Sequence, residues 1–159
     1  MTPEQVALVQ ESFKQVQPIA GHAADLFYGR LFEIAPQVRP LFPQDLTEQK
    51  HKLMSMLTTA VVNLHRVGEI VPAVQDLGRR HAGYKVTAEH YQPVGEALIW
   101  TLERGLGDAF TSPVKAAWVE AYTALAKVMQ DAAAEAVAGT ATVARPGFFA
   151  RLFGRKAAA

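Results

Sequence analysis

Three observations predict a single all-α domain of six to eight helices. Apolar residues recur at three- and four-residue spacings in run after run. No segment before residue 138 alternates apolar and polar residues as a half-buried strand would. The breaks between runs fall at proline and glycine. The chain has 159 residues, half of them hydrophobic, which is enough for one domain with a sizeable core.

The first run carries Val6, Val9, Phe13 and Val16 on one face, with Thr2 as N-cap and Pro3 at the first helical position. Pro18 interrupts it. A second helix is expected from about Ile19 to Ile34, with Leu26, Phe27, Leu31 and Ile34 apolar and Tyr28 among them. Pro36, Pro40 and Pro43 preclude a regular helix over APQVRPLFPQDL, so a short helical turn and a corner are expected there. Leu41 and Phe42 lie inside that corner and need apolar cover. From about Thr47 a long helix carries Leu53, Leu57, Val61 and Leu64, with Gln49 one turn before Leu53 and Gly68 as its end. A shorter helix, Val71 to Arg80, leads to His81, where Gly83 allows it to end. Thr87 opens a helix through Val94, Leu98 and Leu102 to Leu106. The last helix runs from about Pro113 to Ala136, with Trp118, Ala121, Leu125 and Val128 on one face.

Composition excludes several functions. The chain has no cysteine, so disulfides, thiolate metal sites, iron–sulfur clusters and a cysteine nucleophile are ruled out. The lack of cysteine fits a reducing cytosol, and a cytoplasmic protein is expected. The N-terminus lacks the apolar core of a signal peptide, and no run of about 18 apolar residues exists to span a membrane. A net charge of +1 gives no reason to expect nucleic acid. That charge is uneven. Residues 139–159 carry Arg145, Arg151, Arg155 and Lys156 and no acid, so this tail is +4 and the preceding body is −3. FFARLF (148–153) could dock weakly on an anionic membrane surface. A six-residue apolar patch binds lipid only marginally, so a disordered basic extension after a domain at 1–138 is expected.

His81 is the residue with the most chemistry to offer. Alone, a histidine near a helix end is more often a surface or core residue than a metal ligand. Leu77 lies one turn earlier on the same face, and Tyr91 heads the next apolar run.

Taken together, LFYGRLF (26–32), APQVRPLF (35–42), Gln49 to Leu53, LGRRHAGY (77–84), HYQPVG (90–95) and AAWVEAY (116–122) resemble a bacterial single-domain globin of the flavohaemoglobin-like type. The resemblance covers Thr2 to about Gln130. It implies a globin fold around haem b, with His81 as the proximal ligand to iron and Phe42 packed on the haem face. Pro36 would start the short helix before Phe42. Tyr28 and Gln49 would be distal donors to a bound gas, and Leu53 the distal apolar residue one turn on. Tyr91 would support His81, and Leu77, Val86 and Val94 would line the pocket. Lys52, or a basic neighbour, would pair with a haem propionate.

The chemistry agrees with these roles. Iron held by one neutral imidazole keeps its sixth position available to O2, NO or CO. A proximal imidazole also needs an acceptor on its other ring nitrogen to fix the tautomer. A tyrosine hydroxyl and a glutamine amide can donate hydrogen bonds to bound O2.

One position departs from the pattern. The family's glutamate on the last helix, which joins the tyrosine to the proximal histidine, falls at Ala133. Asp131 and Glu135 flank it on the wrong face. His51 would reach iron only if its helix rotated, and His22, His65 and His90 read as surface or capping residues. The leading expectation is reversible O2 binding for carriage, storage or scavenging. The alternatives are an NO dioxygenase served by a separate reductase, and a haem-based gas or redox sensor. A cofactor-free helical bundle is the remaining possibility.

Overall fold

The computed structural model describes residues 1–83 and 85–138; the basic tail at 139–159 lies outside them. Six α-helices follow one another: α1 (Pro3–Val16), α2 (Ala20–Ile34), α3 (Thr47–Val62), α4 (Val67–Gly83), α5 (Ala88–Leu106) and α6 (Ser112–Ala138). No strand occurs among the described residues.

The expected caps and breaks form for the expected reasons. Thr2 Oγ1 accepts from the Gln5 amide at 3.1 Å and Gln5 Oε1 accepts from the Thr2 amide at 3.0 Å, a reciprocal capping box before Pro3. Pro18 sits in a single 3-10 turn, Gln17–Ile19, between α1 and α2. The proline-rich corner is a 3-10 segment, Pro36–Leu41, followed by extended backbone at Phe42.

Two boundaries differ from expectation. Gly68 does not end α3. The helix stops at Val62, where Asn63 folds its side-chain amide back onto the Thr59 carbonyl at 2.8 Å, and Gly68 lies in the first turn of α4. Pro72 is accommodated inside α4, which therefore starts earlier than Val71. Gly83 is the last residue of α4, where the helix was expected to end. The left-handed residue after α4 is Lys85, at φ 66°, a conformation uncommon outside glycine. There the Val86 amide bonds back to the His81 carbonyl at 3.0 Å and brings Val86 beneath the end of α4.

The core is one cluster. Val9, Phe13 and Val16 of α1, Phe27 and Leu31 of α2, Ala97, Leu98 and Leu102 of α5, and Ala117, Trp118 and Ala121 of α6 are buried together. Leu31 is 1% exposed. Truncating so enclosed a leucine to alanine costs about 2–5 kcal/mol. Buried polar groups are matched within the cluster: Trp118 Nε1 donates to Ser12 Oγ at 2.8 Å, and Ser12 Oγ donates to the Leu8 carbonyl at 2.7 Å.

The most extensive helix pairings are α4 with α6, α2 with α5, and α1 with α6. Two glycines set close approaches. A Cβ at Gly78 would overlap the backbone of Met129, so α4 and α6 meet only because that residue has no side chain. A Cβ at Gly95 would lie 2.7 Å from Tyr122 Cε2, so Gly95 makes room for the Tyr122 ring between α5 and α6. Direct packing of α3 on α4 is not among these pairings, and the space left between them is part of the site. No helix among the described residues is long and apolar enough to cross a membrane.

Candidate functional site

A cavity of about 440 Å³ opens between α2, the proline corner, α3, α4, α5 and α6. That volume lies in the range of about 300–1,000 Å³ usual for small-molecule and cofactor sites. Tyr28, Phe42, Gln49, Leu53, Leu77, His81, Val86, Tyr91 and Val94 all line it. Residues up to 66 apart in sequence therefore share one wall-to-wall space.

Lys52 does not join them. Its ammonium pairs with Glu48 one helical turn back, at 3.2 Å, away from the cavity wall. The basic side chains that border the cavity are Arg80 and His90. Lys52 follows Gln49 and precedes Leu53 on α3, and adjacent helical residues point about 100° apart, so it does not share their face.

The α2–α3 side holds a paired polar group in apolar surroundings. Tyr28 is 3% exposed, and its ring meets Phe42 edge-on at 5.6 Å and Phe27 edge-on at 5.0 Å between centroids. Gln49 is 2% exposed, and its Nε2 donates to the Tyr28 hydroxyl oxygen at 3.1 Å. Burial pushes the Tyr28 phenol well above its ordinary range, against a smaller opposing effect of the Gln49 bond. The phenol therefore keeps its proton at neutral pH and has an O–H to donate. Gln49 Oε1 is buried and has no hydrogen-bond partner among the described residues.

The α4–α5 side is built around His81. Its Nδ1 lies 2.7 Å from the Leu77 carbonyl oxygen. A carbonyl can only accept, so Nδ1 carries the proton and the neutral ring's lone pair is on Nε2. Burial lowers the His81 pKa to about 3, only partly opposed by the Leu77 bond, so the imidazole is neutral at pH 7. The acceptor that fixes the tautomer is thus a backbone carbonyl of the same helix.

Tyr91 flanks this ring at 6.0 Å between centroids, tilted by 30°. Its hydroxyl is buried and makes no hydrogen bond among the described residues. Burial pushes its pKa up to about 12. The two acids flanking Ala133 do not reach it. Asp131 pairs with Lys127 at 2.9 Å on the surface, and Glu135 is exposed.

Tyr122 is a residue of the site that the sequence reading passed over. Its hydroxyl donates to the Tyr91 backbone carbonyl at 2.5 Å, which pins the start of α5 to α6. Its position four residues after Trp118, on the inward face of α6, was the available signal. His51, His22 and His65 are exposed. His90 forms part of a second capping box, accepting the Thr87 amide at 3.0 Å through Nδ1.

Comparison with known proteins agrees with this architecture. The globin family profile matches residues 25–129. Over 133 residues, 82% of this chain and 33% of the relative, the sequence is 30% identical to a flavohemoprotein of Xylella fastidiosa. It is 28% identical over 136 residues to a flavohemoprotein of Vibrio cholerae, again over 82% of this chain and 34% of the relative. The chain spans about a third of the length of these curated relatives. Among solved structures, a bacterial globin from Campylobacter jejuni superposes with a TM-score of 0.76 at 23% identity, over 87% of this chain and all of that one. An engineered carbene transferase, a candidate nitric oxide dioxygenase from Rhodothermus marinus, superposes with a TM-score of 0.77 at 29% identity, over 87% of this chain and 97% of that one. Profile, relatives and superpositions agree with the six-helix architecture, and the chain belongs to the globin family, whose cofactor is haem.

Proposed function

We propose that this chain binds haem b in the 440 Å³ cavity and reversibly binds O2, and also NO or CO, on the Tyr28–Gln49 side. The observation that carries the reading is the pairing of unlike walls in one space. One wall presents a neutral imidazole whose Nδ1–H is already committed to the Leu77 carbonyl, and the other a buried, protonated phenol held by an amide.

The residues present fit the group. Nε2 of His81 is the atom with a lone pair to give to iron, and Phe42, Leu53, Leu77, Val86 and Val94 supply apolar contact for a flat macrocycle. Arg80, which pairs with Asp76 at 2.8 Å, and His90 border the cavity and are the basic groups we assign to the propionates. When bound, haem supplies an iron centre that takes a diatomic gas in its sixth position.

The remaining chemistry belongs to the chain. The Leu77 carbonyl keeps His81 in the ligating tautomer. Tyr28 can donate its O–H to the ligand, because the Gln49 amide occupies the hydroxyl as a donor and leaves the phenolic proton to point elsewhere. The second N–H of Gln49 is a further donor. The apolar wall limits water near the ligand and strengthens these bonds.

A second reading is supported by the relatives: NO dioxygenase chemistry with electrons from a separate reductase. The proximal wall weighs against high turnover. His81 Nδ1 leans on a neutral carbonyl, and the Tyr91 hydroxyl has no acceptor among the described residues. Oxygen carriage, storage or slow scavenging is therefore the preferred role.

Absorption spectra of the haem-loaded protein test the proposal. The expected sequence is a five-coordinate ferrous spectrum on reduction, converting to a stable oxy form in air. A six-coordinate ferrous spectrum before gas is added would show a side chain occupying the ligand position and would overturn reversible O2 binding at an open site. A protein that takes up no haem would overturn the whole reading.

A further inference from the structure

Arg39 stands in the proline corner, a segment whose backbone has few partners of its own. Pro40 and Pro43 have no N–H to give, and the carbonyls of Phe42, Pro43 and Gln44 lie beyond the end of the 3-10 segment and before the start of α3. One side chain meets all three. Arg39 Nη1 donates to the Pro43 carbonyl at 2.9 Å and more loosely to the Phe42 carbonyl at 3.3 Å, and Nη2 donates to the Gln44 carbonyl at 3.2 Å. The guanidinium also lies over the Phe32 ring, 4.9 Å from its centroid. Among the described residues no carboxylate pairs with it. A half-buried cation is thus committed to backbone oxygens and an aromatic face, where a planar fork fits and a point charge does not.

From the clamp a chain of contacts reaches the site. Phe42 leans edge-on against both Phe32, at 5.5 Å, and Tyr28, at 5.6 Å. The Tyr28 hydroxyl holds Gln49, which sits in the first turn of the helix that the corner leads into.

We infer that Arg39 is a positioning residue for the distal site: by fixing the 42–44 backbone and the Phe32 face together, it sets where Phe42 bears on the macrocycle and where the Tyr28 hydroxyl points. The inference rests on haem occupying the cavity, and it adds a role for a residue outside the cavity wall.

The test compares Arg39→Gln and Arg39→Lys with the wild-type holoprotein. It uses haem transfer to a scavenging acceptor protein and the C–O stretch of the carbon monoxide complex. Losing charge-assisted bonds should speed haem loss by about tenfold in Arg39→Gln. The C–O stretch should broaden or split, because the hydroxyl near the ligand would sample more than one orientation. Arg39→Lys keeps the charge without the fork, and should recover only part of both effects. Faster haem loss with an unchanged C–O band would overturn the inference, since a loosened fold alone gives that result. Full recovery by lysine would overturn the forked geometry. If Arg39→Gln does not fold, the C–O band of Arg39→Lys decides by the same criterion. A wild-type protein that binds no haem would sink the functional proposal instead, and is seen before any variant is made.

Discussion

The two walls of the cavity are made with opposite economies. On the α2–α3 side, two buried polar side chains find each other: Gln49 reaches Tyr28, and the pair is enclosed by Phe27, Phe42 and Leu53. On the α4–α5 side, the polar groups do not meet. His81 Nδ1 bonds the backbone one turn before it, and the Tyr91 hydroxyl is buried with no partner among the described residues, while Tyr122, 31 residues on, bonds the Tyr91 carbonyl. A buried hydroxyl left unmatched costs about 1–3 kcal/mol. The contrast teaches how the proposed function divides between the walls. In that proposal the first wall holds a polarised ligand, while the second keeps an imidazole neutral. The proposed role is therefore to hold a gas.

The largest test of the comparison removes its pivot. His81→Ala should lower haem affinity by about a hundredfold or more, and added imidazole should restore a haem spectrum by taking the vacated place. Titration of the haem-loaded variant with and without imidazole checks this. Unchanged affinity would move the ligating role away from His81.

Next in size is the hydroxyl on the opposite wall. Tyr28→Phe keeps the ring and its aromatic contacts and deletes one donor in a dry pocket. Oxygen dissociation should accelerate by about 10–100-fold, read by stopped flow, with the unfolding temperature little changed. A rate within about twofold of wild type would mean that Tyr28 packs but does not touch the ligand.

Acid acts on the other wall. His81 is held at about 3 in the folded protein against an ordinary 6.5, so the unfolded chain binds the extra proton first. Stability of the apoprotein from this group is therefore full above about 6.5 and falls as pH drops toward 3, by at most about 1.4 kcal/mol per unit. Denaturant melts of wild type and His81→Ala between these limits should show a steeper loss in the wild type. Parallel curves would show that His81 is not desolvated.

The smallest expected effect is the most discriminating. Tyr91→Phe removes a hydroxyl that bonds nothing among the described residues, so it should stabilise the protein by up to about 1 kcal/mol and leave oxygen dissociation within about twofold. The same substitution on the two walls would then give opposite outcomes. Ala133→Glu sharpens the point further: Ala133 lies one turn beyond Met129, which lines the cavity, and a carboxylate there offers the Tyr91 hydroxyl an acceptor. A raised iron–histidine stretching frequency in that variant, absent when Tyr91→Phe is added, would show that the proximal wall lacks only this acid.

What the sequence decided by itself follows from local rules. Periodic apolar residues dictated six helices, Pro18 and the three corner prolines dictated where the chain breaks, and Thr2 and Thr87 dictated helix starts, because each of these depends on residues within one or two turns. The site residues were legible as spaced motifs, and all but Lys52 line one cavity. Lys52 is next to Leu53 but not in the cavity lining, because the sequence fixes neighbours along a helix but not which face turns inward. Gly83 does end α4, whereas Gly68 does not end α3: a glycine permits a helix to end but does not require it, and α3 stops before Asn63. Tertiary structure alone decided that Gln49 reaches Tyr28 across 21 residues, and that the Tyr91 hydroxyl is buried with no partner among the described residues. Those outcomes depend on how closely helices approach, as at Gly78 against Met129 and Gly95 against Tyr122, and that distance is set by every packed side chain together rather than by any local run.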